Sequence, residues 1–147
     1  MAPIVVTSEI SRRPEDVFAY VTDPKRLPEW QASVVRAEGS DTPVHVGSKF
    51  RVTRRIRGRD MTGTVEFVEL NPPTSWAVHS LDGAIRGDAK GTIEPVGDGA
   101  RSRVTIELDL HGHGMGRLLL PLFVRTMAQR EMPQNAERLK AQLESNT

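Results

Sequence analysis

The chain of 147 residues contains no cysteine. That excludes disulfides, thiolate chemistry and thiolate-ligated zinc, and fits a reducing compartment. It also lacks any stretch approaching the roughly 18 apolar residues of a membrane span. Its first residues do not combine a basic start, an apolar core and a small-residue cleavage site, the marks of an export signal. A cytoplasmic protein without membrane insertion is the expectation. Charge of one sign is missing as well: 20 Lys and Arg stand against 19 Asp and Glu, a formal net of +1. This balance argues against a chain built to hold nucleic acid, which needs a basic face. The one local excess is Arg51, Arg54, Arg55, Arg57 and Arg59. No aromatic is interleaved among them, so a solvated strand face explains them more simply. There is no internal repeat, low-complexity tract or linker.

What is present reads as one folded domain over residues 1–147, with 37% hydrophobic and 27% charged residues. A chain of this length buries roughly two thirds of its unfolded surface. Ile4 to Ile10 alternates as a strand. Pro14 then suits the first turn of a helix, with Glu15 and Asp16 near the positive end of its dipole and Val17, Phe18 and Val21 as its apolar stripe. Asp23-Pro24 ends that helix, and Leu27 to Trp30 is one further turn. Six more strands are expected: Val34 to Glu38, Lys49 to Arg57, Met61 to Leu70, Ser75 to Leu81, Ala84 to Glu94 and Arg101 to Leu110. Turns fall at Gly58-Arg59-Asp60, Asp82-Gly83 and Gly97-Asp98-Gly99. His111 to Gly116 is a glycine-rich, flexible lead-in. A long amphipathic helix runs from Leu118 to the end, through Leu119, Leu122, Phe123 and Thr126, with a kink expected at Pro133.

Strand, two short helices, six strands and a long helix is an order that builds a half-open cup. The residues Ile10-Ser11-Arg12-Arg13-Pro14-Glu15-Asp16-Val17-Phe18, Asp23-Pro24-Lys25-Arg26-Leu27-Pro28-Glu29-Trp30, Glu69-Leu70-Asn71-Pro72-Pro73 before Trp76, and Leu139-Lys140-Ala141-Gln142-Leu143-Glu144 carry a resemblance. In this order and spacing they resemble the START/Bet v 1-like (SRPBCC) superfamily, in its bacterial polyketide cyclase/dehydrase-like branch. The resemblance implies an α+β helix-grip fold: a seven-stranded antiparallel sheet wrapped around a long C-terminal helix, with two short helices after the first strand. It also implies a deep cavity that holds lipid-like or polyketide-like molecules, and in a few relatives carries out aromatic ring closure and dehydration.

Parity assigns the walls of such a cavity. Phe50, Val52, Arg54 and Ile56 share one face of their strand; Met61, Gly63, Val65 and Phe67 share one of the next; Trp76 and Val78 follow. The strand from Ala84 presents Ile85, Gly87, Ala89, Gly91 and Ile93, and small residues there leave volume for something else to fill. Leu108 lies on the apolar parity of the last strand. The candidate ligand contacts are therefore Trp30, Phe50, Val52, Arg54, Met61, Val65, Phe67, Trp76, Val78, Gly87, Ala89, Leu108, Leu122, Phe123 and Thr126. Trp30 is the preferred contact, because the resembling motif ends the helical elbow with it. An aromatic on an inner face is also simply core.

Arg54 is the sharpest residue. A buried guanidinium must meet a carboxylate, a carbonyl or a ligand oxygen. It either anchors a ligand oxygen at the inner end of the cavity, or closes an internal ion pair, or reaches water through a bulge. His111 and His113 form an H-x-H pair with no third ligand in view, so no metal is expected. His111 remains, with Arg54, a weak catalytic candidate. His79, Glu66, Arg86 and Asp88 fall on outward parities, Arg86 and Asp88 explained by exposed cross-strand pairing. No nucleophile stands beside a base, and no cofactor is expected. The leading expectation is a monomer or homodimer that binds one small hydrophobic molecule. Two alternatives stand: an aromatase/cyclase or dehydratase acting in the same cavity, and a protein-interaction module that works through its basic strand.

Overall fold

The computed structural model describes residues 3–39, 41–83, 85–112 and 124–145, and in them the alternating segments form one sheet. The elements are β1 (Ile4–Ile10), α1 (Pro14–Val21), a short 3-10 turn (Pro24–Arg26), α2 (Leu27–Trp30), β2 (Val34–Glu38), β3 (Lys49–Ile56), β4 (Arg59–Asn71), β5 (Ser75–Ser80), β6 (Ile85–Val96), β7 (Arg101–Gly112) and α3 (Val124–Ser145). All strand pairs are antiparallel, in the order β1-β7-β6-β5-β4-β3-β2. β1 and β2 thus lie at opposite edges, and the α1–α2 elbow joins them. The sheet is curled, and with α3 it makes the expected helix grip.

Local chemistry accounts for the elbow. Pro14 sits in the first turn of α1 with Glu15 and Asp16, and Val17, Phe18, Tyr20 and Val21 turn inward. Asp23 then caps the 3-10 turn by accepting the Lys25 N–H at 3.1 Å. Ile10, Val17, Trp30, Phe50, Phe67, Trp76, Ile93, Val104, Leu139 and Leu143 make one continuous core. Phe50 and Phe67 meet across β3 and β4 with ring centroids 5.4 Å apart.

Several strand boundaries differ from expectation. The β3–β4 turn is Arg57-Gly58, not Gly58-Arg59-Asp60: both residues take positive φ, 53° and 78°, and Ile56 pairs directly with Arg59. Positive φ at both central positions is the two-residue hairpin turn whose twist matches the strands it joins. β6 extends through Pro95 to Val96. β7 extends to Gly112, so His111 belongs to a strand, opposite Arg86, and not to a flexible lead-in. α3 is described from Val124, so its expected start at Leu118 lies outside the described residues, and as expected it runs past Pro133 as one long helix. Leu118, Leu119, Leu122, Phe123 and His113 lie outside the described residues. No described helix is long and apolar enough to cross a membrane.

Candidate functional site

Between the concave face of the sheet and α3 lies a cavity of about 330 Å³. Strand parity supplies most of its wall: Phe50 and Val52 from β3, Met61, Val65 and Phe67 from β4, Trp76 and Val78 from β5, Gly87 and Ala89 from β6, and Leu108 from β7 all line it. Trp30 closes it from the end of α2, and Val124, Met127, Ala128, Met132 and Ala136 line it from α3. Burial grades along the wall. Phe67 is 3% and Trp76 5% exposed, whereas Met61, beside the β3–β4 hairpin, is 45% exposed. The cavity therefore has a buried apolar floor, and its wall becomes more exposed toward the hairpin tip.

Small residues on β6 divide in their effect. The Trp76 indole lies over Gly91 so closely that a Cβ there would collide with the outer carbons of the ring, so a neighbouring side chain takes up that volume. Gly91 does not line the cavity. Gly87 does, and a Cβ on it would come within 3.3 Å of Leu108 Cδ1 and Leu110 Cδ2.

Arg54 stands on the cavity wall and closes an internal ion pair as well. Its Nη1 donates to Ser33 Oγ at 2.9 Å, its Nη2 to Gln31 Oε1 at 2.9 Å, and Glu131 Oε2 is 3.8 Å from Nη1. Glu131 is itself held: Oε2 accepts from Ser33 Oγ at 3.1 Å and from Asn135 Nδ2 at 2.9 Å. Asn135 Oδ1 accepts the backbone N–H of Ala32 at 3.0 Å. Burial lowers the Arg54 pKa and Glu131 opposes the shift. With 39% of its side chain still exposed, the guanidinium keeps its charge. Arg54 pairs with Met61 near the hairpin turn, so it sits toward the more exposed hairpin end of the wall and not at the inner end.

The sequence reading missed Gln31, Ser33, Glu131 and Asn135, all of which line the cavity. A signal for two of them exists. Glu131 and Asn135 continue the inward series Val124, Met127/Ala128, Met132 and Ala136 at helical spacing, and a polar pair four residues apart on that face needs a partner. Thr126 is a correction: it is exposed and absent from the cavity wall, because two residues from Val124 place it on the opposite side of α3.

His111 is a second correction. On β7 it alternates with the lining residues Leu108 and Leu110, so it faces outward, where its Nε2 is 3.9 Å from Asp88 Oδ2. His79 Nδ1 meets the other oxygen of Asp88. Asp88 thus makes the expected cross-strand pairing, with His79 on β5 and His111 on β7. Arg86 does not: its Nε donates to the Gly83 carbonyl at 3.0 Å, and it lines the cavity, against its outward parity. Among the described residues, no group of three or more His, Asp or Glu is placed to hold a metal. The buried Trp30 Nε1 has no hydrogen-bond partner among them. Tyr20, whose hydroxyl donates to Glu29 at 2.8 Å, is raised well above its usual pKa, mainly by burial, and does not line the cavity.

Comparison with known proteins follows the same lines. The model of a family described as "Polyketide cyclase / dehydrase and lipid transport" matches residues 1–144. A START superfamily protein from Mycobacterium smegmatis superimposes with a TM-score of 0.81 at 14% identity, over 100% of both chains. A protein of Thermus thermophilus gives 0.80 at 18% identity, over 99% of both chains. The Zhui aromatase/cyclase of a Streptomyces species gives 0.75 at 12% identity, over 97% of this chain and 93% of that one. At such identities the likeness is one of fold. No curated protein matches at the sequence level.

Proposed function

The chain belongs to the polyketide cyclase/dehydrase and lipid transport family, and from that premise we propose that it takes up one small hydrophobic molecule, lipid-like or polyketide-like. The site is the cavity between the sheet and α3, with Phe50, Phe67 and Trp76 against the apolar part of the ligand and Arg54 near a polar atom of it. The observation that carries this reading is the space itself, about 330 Å³ with predominantly apolar walls among the described residues. Protein interiors ordinarily pack to crystal density, and an unfilled space forfeits the dispersion contacts of every side chain around it. Apolar walls also give water few partners, so an apolar guest is the occupant that restores those contacts.

Both tryptophans of the chain, Trp30 and Trp76, line the cavity and serve as reporters. Titration with the neutral dye Nile red should give saturable uptake of one molecule per chain, with a matching change in tryptophan emission. Native mass spectrometry of freshly purified protein should show a co-purified apolar mass. Absence of dye uptake together with a bare protein mass would refute the reading.

A further inference from the structure

Resting on that reading, we infer that Glu131 makes the cavity select uncharged ligands that carry a carbonyl oxygen and reject carboxylates. The ionisable side chains on the described cavity wall are Arg54, Arg86, Asp82 and Glu131, two cations and two anions. Among the described residues the wall is therefore charge-balanced before any ligand enters. Among the described residues, two of the five N–H groups of Arg54 are engaged in hydrogen bonds, by Ser33 and Gln31, which leaves donors to offer.

A carbonyl oxygen on the spare donors gains a charge-assisted hydrogen bond and leaves the balance intact. A carboxylate there would place two anions on one guanidinium, at a site where the side chains of Arg54 and Glu131 are 39% and 23% exposed and their repulsion is only partly screened. Glu131 cannot readily swing away to make room. Ser33 and Asn135 both donate to the same oxygen that faces Arg54. Without Glu131, Arg54 would be a ready carboxylate site. Discrimination thus lies in the acid on α3, and the arginine supplies attraction to either class.

A matched pair of probes tests this: decan-2-one and decanoate, which share an apolar chain and differ in head group. Each is titrated against Nile red at neutral pH, where the acid is ionised. The wild-type protein should bind the ketone at least about tenfold more tightly than the carboxylate. Glu131→Gln keeps an oxygen for Ser33 and Asn135 to donate to, and it should raise decanoate affinity at least about tenfold while moving the ketone little. Arg54→Met should weaken the ketone. Wild-type protein that binds decanoate as tightly as the ketone would overturn the inference without any variant. So would a Glu131→Gln protein with an unchanged ratio. In either case the cavity reading survives, since both probes bind. If Nile red and both probes are all refused, the cavity reading itself falls, and this inference with it.

Discussion

Gly91 and Trp76 show how much can hang on one missing methyl group. The indole occupies the space a Gly91 side chain would need, and ring and backbone cannot both stay in place if a Cβ is added. Gly91→Ala should destabilise the protein by about 1–3 kcal/mol, the usual range for forced overpacking. It should also shift tryptophan emission as the ring moves. Gly87→Ala should cost less, because it meets only the flexible ends of Leu108 and Leu110 at 3.3 Å. Thermal or denaturant unfolding of the two variants checks the order. The alternation in β6 made the shortage of volume legible in the sequence, but not its uneven distribution. Which glycine is covered depends on the reach of an indole from β5, across the strand pair Trp76 and Gly91.

Among the elements, α3 carries the clearest division of labour. Its buried residues are Met132, Asn135, Ala136, Leu139 and Leu143, so its later turns make the core while its earlier ones roof the cavity. Backbone and side-chain bonds tie down the same end: Arg12 Nη1 donates to the Leu143 carbonyl at 2.9 Å and Lys140 Nζ to that of Glu9 at 2.7 Å. Leu139 is 1% exposed, and Leu139→Ala should cost about 2–5 kcal/mol in chemical denaturation.

Glu144 adds a pH-dependent tie. The Ser11 N–H donates to it at 2.9 Å, and chiefly for that reason its carboxyl is held below the ordinary value. A group lowered in the folded state stabilises it above the ordinary carboxylate range and loses that contribution as pH falls through the lowered value. Glu144→Gln should therefore cost about 1 kcal/mol or less near neutrality, given its partial exposure. The gap to the wild type should close as pH drops below about 4. Denaturation curves of both proteins across that range decide it. The later turns of α3 could be read from Leu139 and Leu143 at helical spacing. The division of roles could not, because it depends on which strands pass beneath each turn.

For the molecule as a whole, the sheet curls away from α3 far enough to leave room, and stability is given up for that space. Filling it should show both sides of the exchange. Ala89 lines the cavity between Val78 and Leu108 on the neighbouring strands. Ala89→Leu should leave stability unchanged or raise it by up to about 1 kcal/mol. The same variant should take up Nile red at least about tenfold more weakly. A large loss of stability would mean that this part of the wall is already packed.

Two-residue and helical periodicities settled which segments form strands and helices, and which side of each faces inward. Phe50, Val52, Phe67, Trp76 and Val78 could be assigned to one concave surface on that basis, because side chains alternate strictly along a strand and local sterics enforce the alternation. The family resemblance carried in the α1–α2 elbow supplied the order in which those strands close. The three-dimensional arrangement alone brought Gln31, Ser33, Glu131 and Asn135 to Arg54, from segments up to 104 residues apart along the chain (Gln31 to Asn135). It also turned His111 outward by continuing β7 through Gly112, and set Thr126 on the far side of α3. Such contacts arise where separate elements cross, and no local preference encodes the crossing.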